Sequence, residues 1–148
     1  MQTEITVVQA TNANRHAIEV LLVSQKLPVE DLPASLENFW VVKDQSEIVG
    51  VAGLELHLPF GLLRSLAVTP GYRNLGIGDT LVRAVEEQAA KLDLKGIFLL
   101  TETAKRYFEK RGYIVIEREQ TPGIIKQSSE FSHVCPVSAV VMQKTTAK

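Results

Sequence analysis

A chain of 148 residues has the length of one domain, and 45% hydrophobic against 22% charged residues describes a globular protein with a core of its own. A formal net charge of −1 argues against a nucleic-acid groove or an anionic-membrane surface, so any anion site must be local. No basic stretch leads into an apolar N-terminal run, no segment reaches the roughly 18 apolar residues of a bilayer span, and the single cysteine, Cys135, forms no internal disulfide.

These bounds predict one cytoplasmic domain over residues 1–148. In chain order, the β-branched stretch 4–10 reads as a strand. Thr11 and Asn12 offer caps to a helix whose Ala17, Ile18, Leu21 and Leu22 share a face. The two prolines of residues 26–33 predict a loop with a short helical turn. Residues 39–44, a turn over 45–47 and residues 48–58 read as an antiparallel hairpin. In its second strand Leu54, Leu56 and Leu58 alternate with Glu55 and His57, so the two polar residues share the opposite face.

Residues 59–61 read as the turn into a strand over 62–68, which Pro70 and Gly71 end. Ile77, Leu81, Val85 and Leu92 mark an amphipathic helix through Leu92. Residues 96–100 read as a central strand, 103–112 as a compact helix closed by Gly112, and 113–117 as a strand. A helical turn within 121–131 and a closing strand over 139–144 complete the chain. The order predicts an α/β fold: a mixed, mostly antiparallel central sheet with helices on both faces.

The stretch Arg73-Asn74-Leu75-Gly76-Ile77-Gly78 follows a strand and opens the longest helix. A dinucleotide fingerprint fails there because Leu81 stands where the third glycine belongs, and Gly78-Asp79-Thr80 lacks the lysine of a Walker loop. What remains is an anion cradle. Main-chain N–H groups at a helix start carry partial positive charge, glycines let a bulky diphosphate approach, and Arg73 adds a charge-assisted contact.

This Arg-x-x-Gly-x-Gly stretch, arriving after residues 65–72, resembles the acetyl-CoA signature of the GNAT N-acetyltransferase superfamily. The resemblance covers nearly the whole chain. Residues 62–78, 98–113 and 131–142 are further similar to a subfamily of N-acetyltransferases encoded with arsenic-resistance genes, and more loosely to the acetyltransferase domain of N-acetylglutamate synthases. The resemblance implies the acyl-CoA N-acyltransferase fold and acetyl-CoA as co-substrate. It implies that Leu66, Ala67 and Val68 hold the pantetheine arm, with the Val68 N–H polarising the thioester carbonyl. It further implies that Arg73, Asn74, Leu75, Gly76, Ile77 and Gly78 cradle the pyrophosphate, with Asp79 capping the helix nearby. Thr101 occupies the place of a cofactor-bonding asparagine. The tyrosine that often protonates the departing thiolate is replaced by Phe108, and Tyr107 is rotated about 100° away on a helix. A CoA thiol resembles that of cysteine, so it can leave largely as thiolate with water completing its protonation.

Acetyl transfer needs a neutral amine, so a base must take a proton. Glu55 is the first choice, against the plain alternative of a solvated strand carboxylate. His57 points the same way but lies near the hairpin end, where exposure is expected. Arg64 alternates with Leu62, Leu66 and Val68, which puts its charge on an apolar face. Such an arginine needs an anion, either a substrate carboxylate or an internal partner such as Glu55. His133 and Cys135 are too few for a metal, and Cys135 in an apolar segment reads mainly as packing. By family analogy residues 131–138 line the acceptor pocket, with Ser138 a carboxylate contact. His16 reads as solvated, and Phe39, Trp40 and Phe60 as core or pocket wall.

The expected function is acetyl-CoA-dependent N-acetylation of a small amine, an amino acid or an amino-acid-like compound, arsenicals included. The alternatives are a non-catalytic acyl-CoA sensing module and a protein-amine acetyltransferase. The family further implies a homodimer.

Overall fold

The computed structural model describes residues 5–128 and 139–146. Seven strands form a sheet in the order β1-β2-β3-β4-β5-β7-β6. Their ranges are Ile5–Gln9, Phe39–Asp44, Glu47–His57, Phe60–Val68, Gly96–Thr101, Ile114–Ile116 and Val140–Thr145 for β1 to β7. The helices are α1 (Arg15–Ser24), α2 (Ile77–Lys91), α3 (Lys105–Glu109) and α4 (Gly123–Lys126). The β1/β2, β2/β3, β5/β7 and β6/β7 ladders run antiparallel and β4/β5 runs parallel, which is the mixed, mostly antiparallel α/β class expected. The parallel ladder is short: Phe60–Leu62 pair with Gly96–Phe98, while β4 continues to Val68 and β5 to Thr101.

The chain divides into two compact units, Met1–Leu54 with Ser65–Gln88, and Glu55–Arg64 with Ala89–Lys148. In the first, Ile18, Leu21 and Leu22 of α1 meet Leu36, Phe39, Val41, Val51 and Ala67 in one core cluster. α1 starts later than the capping residues suggested. Thr11 caps a 3-10 turn over Asn12–Asn14, and Asn14 is the residue that precedes α1. Ala17 is exposed, so the apolar face is narrower than the spacing implied. Residues 26–33 are loop with one hydrogen-bonded turn, in which the Leu32 N–H donates to the Val29 carbonyl at 3.3 Å.

The hairpin of β2 and β3 closes through Gln45 and Ser46 alone, with Gln45 at φ 58°, and Glu47 already pairs with Asp44. Gly53 lies under the ring of Phe39, where a Cβ would come within 2.5 Å. Gly50 makes room in the same way for α2: a Cβ there would stand 2.9 Å from Cγ2 of Ile77 and 3.1 Å from Cδ1 of Leu81. Along α2, Ile77, Leu81 and Val85 are buried as the period demands, joined by Val82. Leu92 lies beyond the helix and is 40% exposed, since α2 ends at Lys91.

In the second unit, Leu62, Phe98, Ile125 and Val141 form a core cluster with Phe60, Leu100 and Ile116 packed on it. Phe60 and Gly61 belong to β4 rather than to the turn, which Leu58 and Pro59 make. Phe60 meets Phe98 edge to face at 5.3 Å, which ties the start of β4 to β5. Gly112 takes φ 94° after α3, the left-handed geometry expected of a helix-closing glycine.

Candidate functional site

The first unit carries the turn into α2. The Thr69 N–H donates to the Val49 carbonyl at 2.8 Å, which fixes the end of β4. A 3-10 turn over Pro70–Tyr72 follows, and the Tyr72 hydroxyl donates to Oδ2 of Asp44 at 2.5 Å. That hydrogen bond, with lesser contributions from burial and the charges of Asp44 and Glu47, pushes the Tyr72 pKa up. Asn74 (φ 66°) and Gly76 (φ 79°) then turn through left-handed backbone, and nothing lies within 4 Å of the place a Gly76 Cβ would occupy. Asparagine tolerates this region and glycine adopts it without penalty, so the two residue types match the geometry.

Helix α2 starts at Ile77. The Thr80 N–H and hydroxyl both bond the Gly76 carbonyl, at 3.1 and 3.0 Å, closing the first turn. The N–H groups of Ile77, Gly78 and Asp79 come before that of Thr80, the first donor of the intrahelical ladder. Asp79 lies in this first turn, where its charge suits the helix dipole. Gly78 is helical, so its backbone is ordinary and only its missing side chain distinguishes it. Arg73 is exposed and its guanidinium donates to the side-chain oxygen of Gln25, the residue that ends α1. Sequence reasoning named Arg73 but missed both Gln25 and the Tyr72–Asp44 tether, since nothing local links residues so far apart in the chain.

β4 does not keep strict alternation. Ser65 sits at φ 61°, and this left-handed step interrupts the parity between Leu62 and Arg64 before it and Leu66 and Val68 after it. Arg64 is buried and so is Ala67, whereas Leu66 and Val68 are half-buried. The single face expected for all four therefore does not hold. A serine offers no sequence cue to such a step.

The second unit carries the charged cluster. Arg64 Nη1 donates to Glu55 Oε1 at 2.8 Å, and Glu55 Oε2 lies 2.8 Å from His57 Nε2. The side chains of Arg64, Glu55 and His57 are 0%, 23% and 17% exposed. Burial pushes the Glu55 carboxyl up, but the hydrogen bonds and charges of His57 and Arg64 outweigh it and leave the pKa below its ordinary 4.5. The expected shared face of Glu55 and His57 is present. Leu56 and Leu58 point outward, 39% and 64% exposed, while the polar pair turns inward to Arg64. His57 is correspondingly more buried than the hairpin end suggested. Of the two partners open to Arg64, the internal one is formed.

Thr101 Oγ1 accepts from the Ala104 N–H at 3.0 Å at the start of α3, which leaves the hydroxyl hydrogen to be donated elsewhere. Phe108 is buried and packs edge to face on Tyr107 and Tyr113, while the Arg111 guanidinium lies 3.7 Å over the Tyr107 ring. His16 is exposed, as expected. His133, Cys135 and Ser138 lie outside the described residues. Among the described residues no helix is long and apolar enough to cross a membrane.

Residues 35–115 match the family model described as an acetyltransferase (GNAT) domain. Among curated proteins, the amino-acid acetyltransferase of Pseudomonas aeruginosa PAO1 is 36% identical over 95 residues, covering 63% of this chain and 22% of that protein. The protein of the same name from Buchnera aphidicola of Schizaphis graminum is 33% identical over 98 residues, with the same coverage. The chain thus spans about a fifth of the length of these curated relatives. Among solved structures, N-acetylglutamate synthase from Neisseria gonorrhoeae, complexed with coenzyme A and N-acetyl-glutamate, gives a TM-score of 0.83 at 16% identity, covering 100% of this chain and 36% of that one. A Mycobacterium tuberculosis protein in complex with CoA gives 0.81 at 23% identity, covering 95% and 98%.

Proposed function

The chain belongs to the GNAT acetyltransferase family, whose co-substrate is acetyl-CoA, and on that premise we propose that it acetylates the amine of a small amino acid. The observation that carries the proposal is the turn before α2, where left-handed Asn74 and Gly76 open a helix start to an anion. In this reading Arg73, Asn74, Leu75, Gly76, Ile77 and Gly78 seat the diphosphate of coenzyme A, with Asp79 closing the helix behind them. Leu66, Ala67 and Val68 hold the pantetheine arm, and the Val68 N–H polarises the thioester carbonyl. The short β4/β5 ladder supports this, because β4 runs six residues past its last β5 partner, Leu62. Thr101 contributes its hydroxyl hydrogen to the co-substrate. Phe108 supplies no proton, so the thiolate leaves without a side-chain acid.

The curated relatives named amino-acid acetyltransferases support an amino-acid acceptor. The similarity of residues 62–78, 98–113 and 131–142 to the arsenic-resistance-linked subfamily extends the acceptor class to amino-acid-like compounds, amine-bearing arsenicals among them. Arg64, His57, Cys135 and Ser138 belong to the acceptor side. One domain over residues 1–148, a cytoplasmic setting and a homodimer complete the proposal.

Release of CoA thiol from acetyl-CoA, followed across the amino acids and amine-bearing arsenicals, tests it. Turnover with an amino acid is the expected result. Tight acetyl-CoA binding with no turnover on any amine identifies a sensing module instead, the reading that Phe108 favours.

A further inference from the structure

The stretch from Leu54 to Leu58 contradicts the usual economy of a strand. Leu56 and Leu58 face outward while Glu55 and His57 turn inward, toward a guanidinium with no exposed surface. Apolar side chains left in water and ionisable ones drawn out of it are a local inconsistency of the kind that marks functional positions. We propose that Nδ1 of His57 takes the proton from the incoming ammonium, with Glu55 as the positioning residue that fixes the ring and Arg64 as the anchor that fixes Glu55. This rests on the acetyltransferase reading above and names its proton acceptor.

Hydrogen bonding assigns the nitrogen. An ionised carboxylate only accepts, so the 2.8 Å contact between Glu55 Oε2 and His57 Nε2 requires the hydrogen on Nε2. In the neutral ring Nδ1 is then the basic nitrogen, and no hydrogen bond to it occurs among the described residues. Glu55 is the poorer acceptor of a proton: each of its oxygens already accepts from a neighbour, and Arg64 holds the charge in place. Its depressed pKa agrees with that role. The arrangement is a carboxylate that orients an imidazole, with the carboxylate itself held by a guanidinium.

The protons balance as follows. The first leaves the ammonium for Nδ1, giving imidazolium and a neutral amine. The amine nitrogen bonds to the thioester carbon, the carbon–sulfur bond breaks, and its electron pair leaves on sulfur. The second nitrogen-bound proton ends on that thiolate through water, and the imidazolium returns its proton to solvent.

Nitrogen NMR of protein labelled at its three histidines tests the geometry without any substrate. At about pH 8, where free imidazole is neutral, the signals lost in His57→Gln should be those of an Nε2–H tautomer, and Glu55→Gln should abolish that preference. An Nδ1–H tautomer, or unchanged signals in Glu55→Gln, overturns the proposal. Turnover of acetyl-CoA across the twenty amino acids tests the role. His57→Gln should lower kcat by about 100-fold or more, hold the acetyl-CoA KM, and remove the acid limb of the pH profile. Glu55→Gln should lower kcat less. A wild type that turns over while His57→Gln matches it overturns the proton role and leaves the enzyme reading standing. A wild type that binds acetyl-CoA but acetylates no amine overturns both.

Discussion

The turn before α2 and the cluster on β3 and β4 are built by different means. As proposed, the turn offers main-chain amides, so what matters is which residues stay out of the way and which tolerate left-handed backbone. Those demands select residue types, glycine at 76 and asparagine at 74, and residue types are visible in a sequence. The cluster works with side chains, and its chemistry depends on which face of a strand is covered. Alternation tells which residues share a face but not which face is buried. The left-handed turn into α2 is therefore legible in the spacing, whereas the buried side of Glu55 and His57 had to come from the fold.

If the seat is made of backbone, its most damaging variant is one that adds a side chain. Gly76→Val should weaken acetyl-CoA binding by roughly 10-fold or more, while left-handed strain costs the fold only about 1–2 kcal/mol. Calorimetric titration and thermal unfolding separate the two, and unaltered affinity removes Gly76 from the seat.

If the cluster is made of side-chain charge, removing its anchor should act on the fold. Arg64→Met leaves the Glu55 carboxylate half-buried beside His57 alone, and should cost about 2–3 kcal/mol, below the full value for a wholly buried pair because Glu55 keeps some contact with water. Urea unfolding measures this. The double variant with Glu55→Gln should lose less than Arg64→Met alone, and an equal or larger loss contradicts the pairing.

Acid should act on the cluster too. The folded-state pKa of Glu55 lies below the unfolded one, so its carboxylate stabilises the fold above about pH 4.5, and that contribution vanishes as pH falls through the folded value. Wild type should thus lose stability more steeply than Glu55→Gln over that acid range in urea titrations. Parallel curves contradict the shift.

The smallest effect belongs to Tyr72→Phe. It removes the tether to Asp44 but no amide of the seat, so the acetyl-CoA KM should rise modestly with kcat held. A fall in kcat with KM unchanged counts against a purely positional tether.

All seven strands and the helices at 15–24, 77–91 and 105–109 follow from period, composition and punctuation in the sequence; β2 to β5, β7 and these helices bury apolar residues, whereas β1 is exposed along its whole length and β6 along most of it. The misreadings share a cause. The helical place of Leu92, the exposure of His57 and the single Leu62-to-Val68 face rest on the assumption that apolar residues point inward, polar ones outward, and that strands alternate without a break. The exposed Leu92, the half-buried His57 and the left-handed Ser65 violate these assumptions. The partners of Arg73 and Tyr72, Gln25 and Asp44, are long-range contacts that only the folded chain brings together.

Gly50 carries a consequence of its own. With 2.9 Å between its hypothetical Cβ and Ile77, the bare midpoint of one strand decides how deeply the first turn of α2 can settle. Hydrogen bonds to a diphosphate lose strength over a few tenths of an ångström. One missing methyl group, remote in sequence from every residue of the turn, therefore acts as the shim that sets the height of those amides, and Gly50→Ala should weaken acetyl-CoA binding if the proposed seat is there.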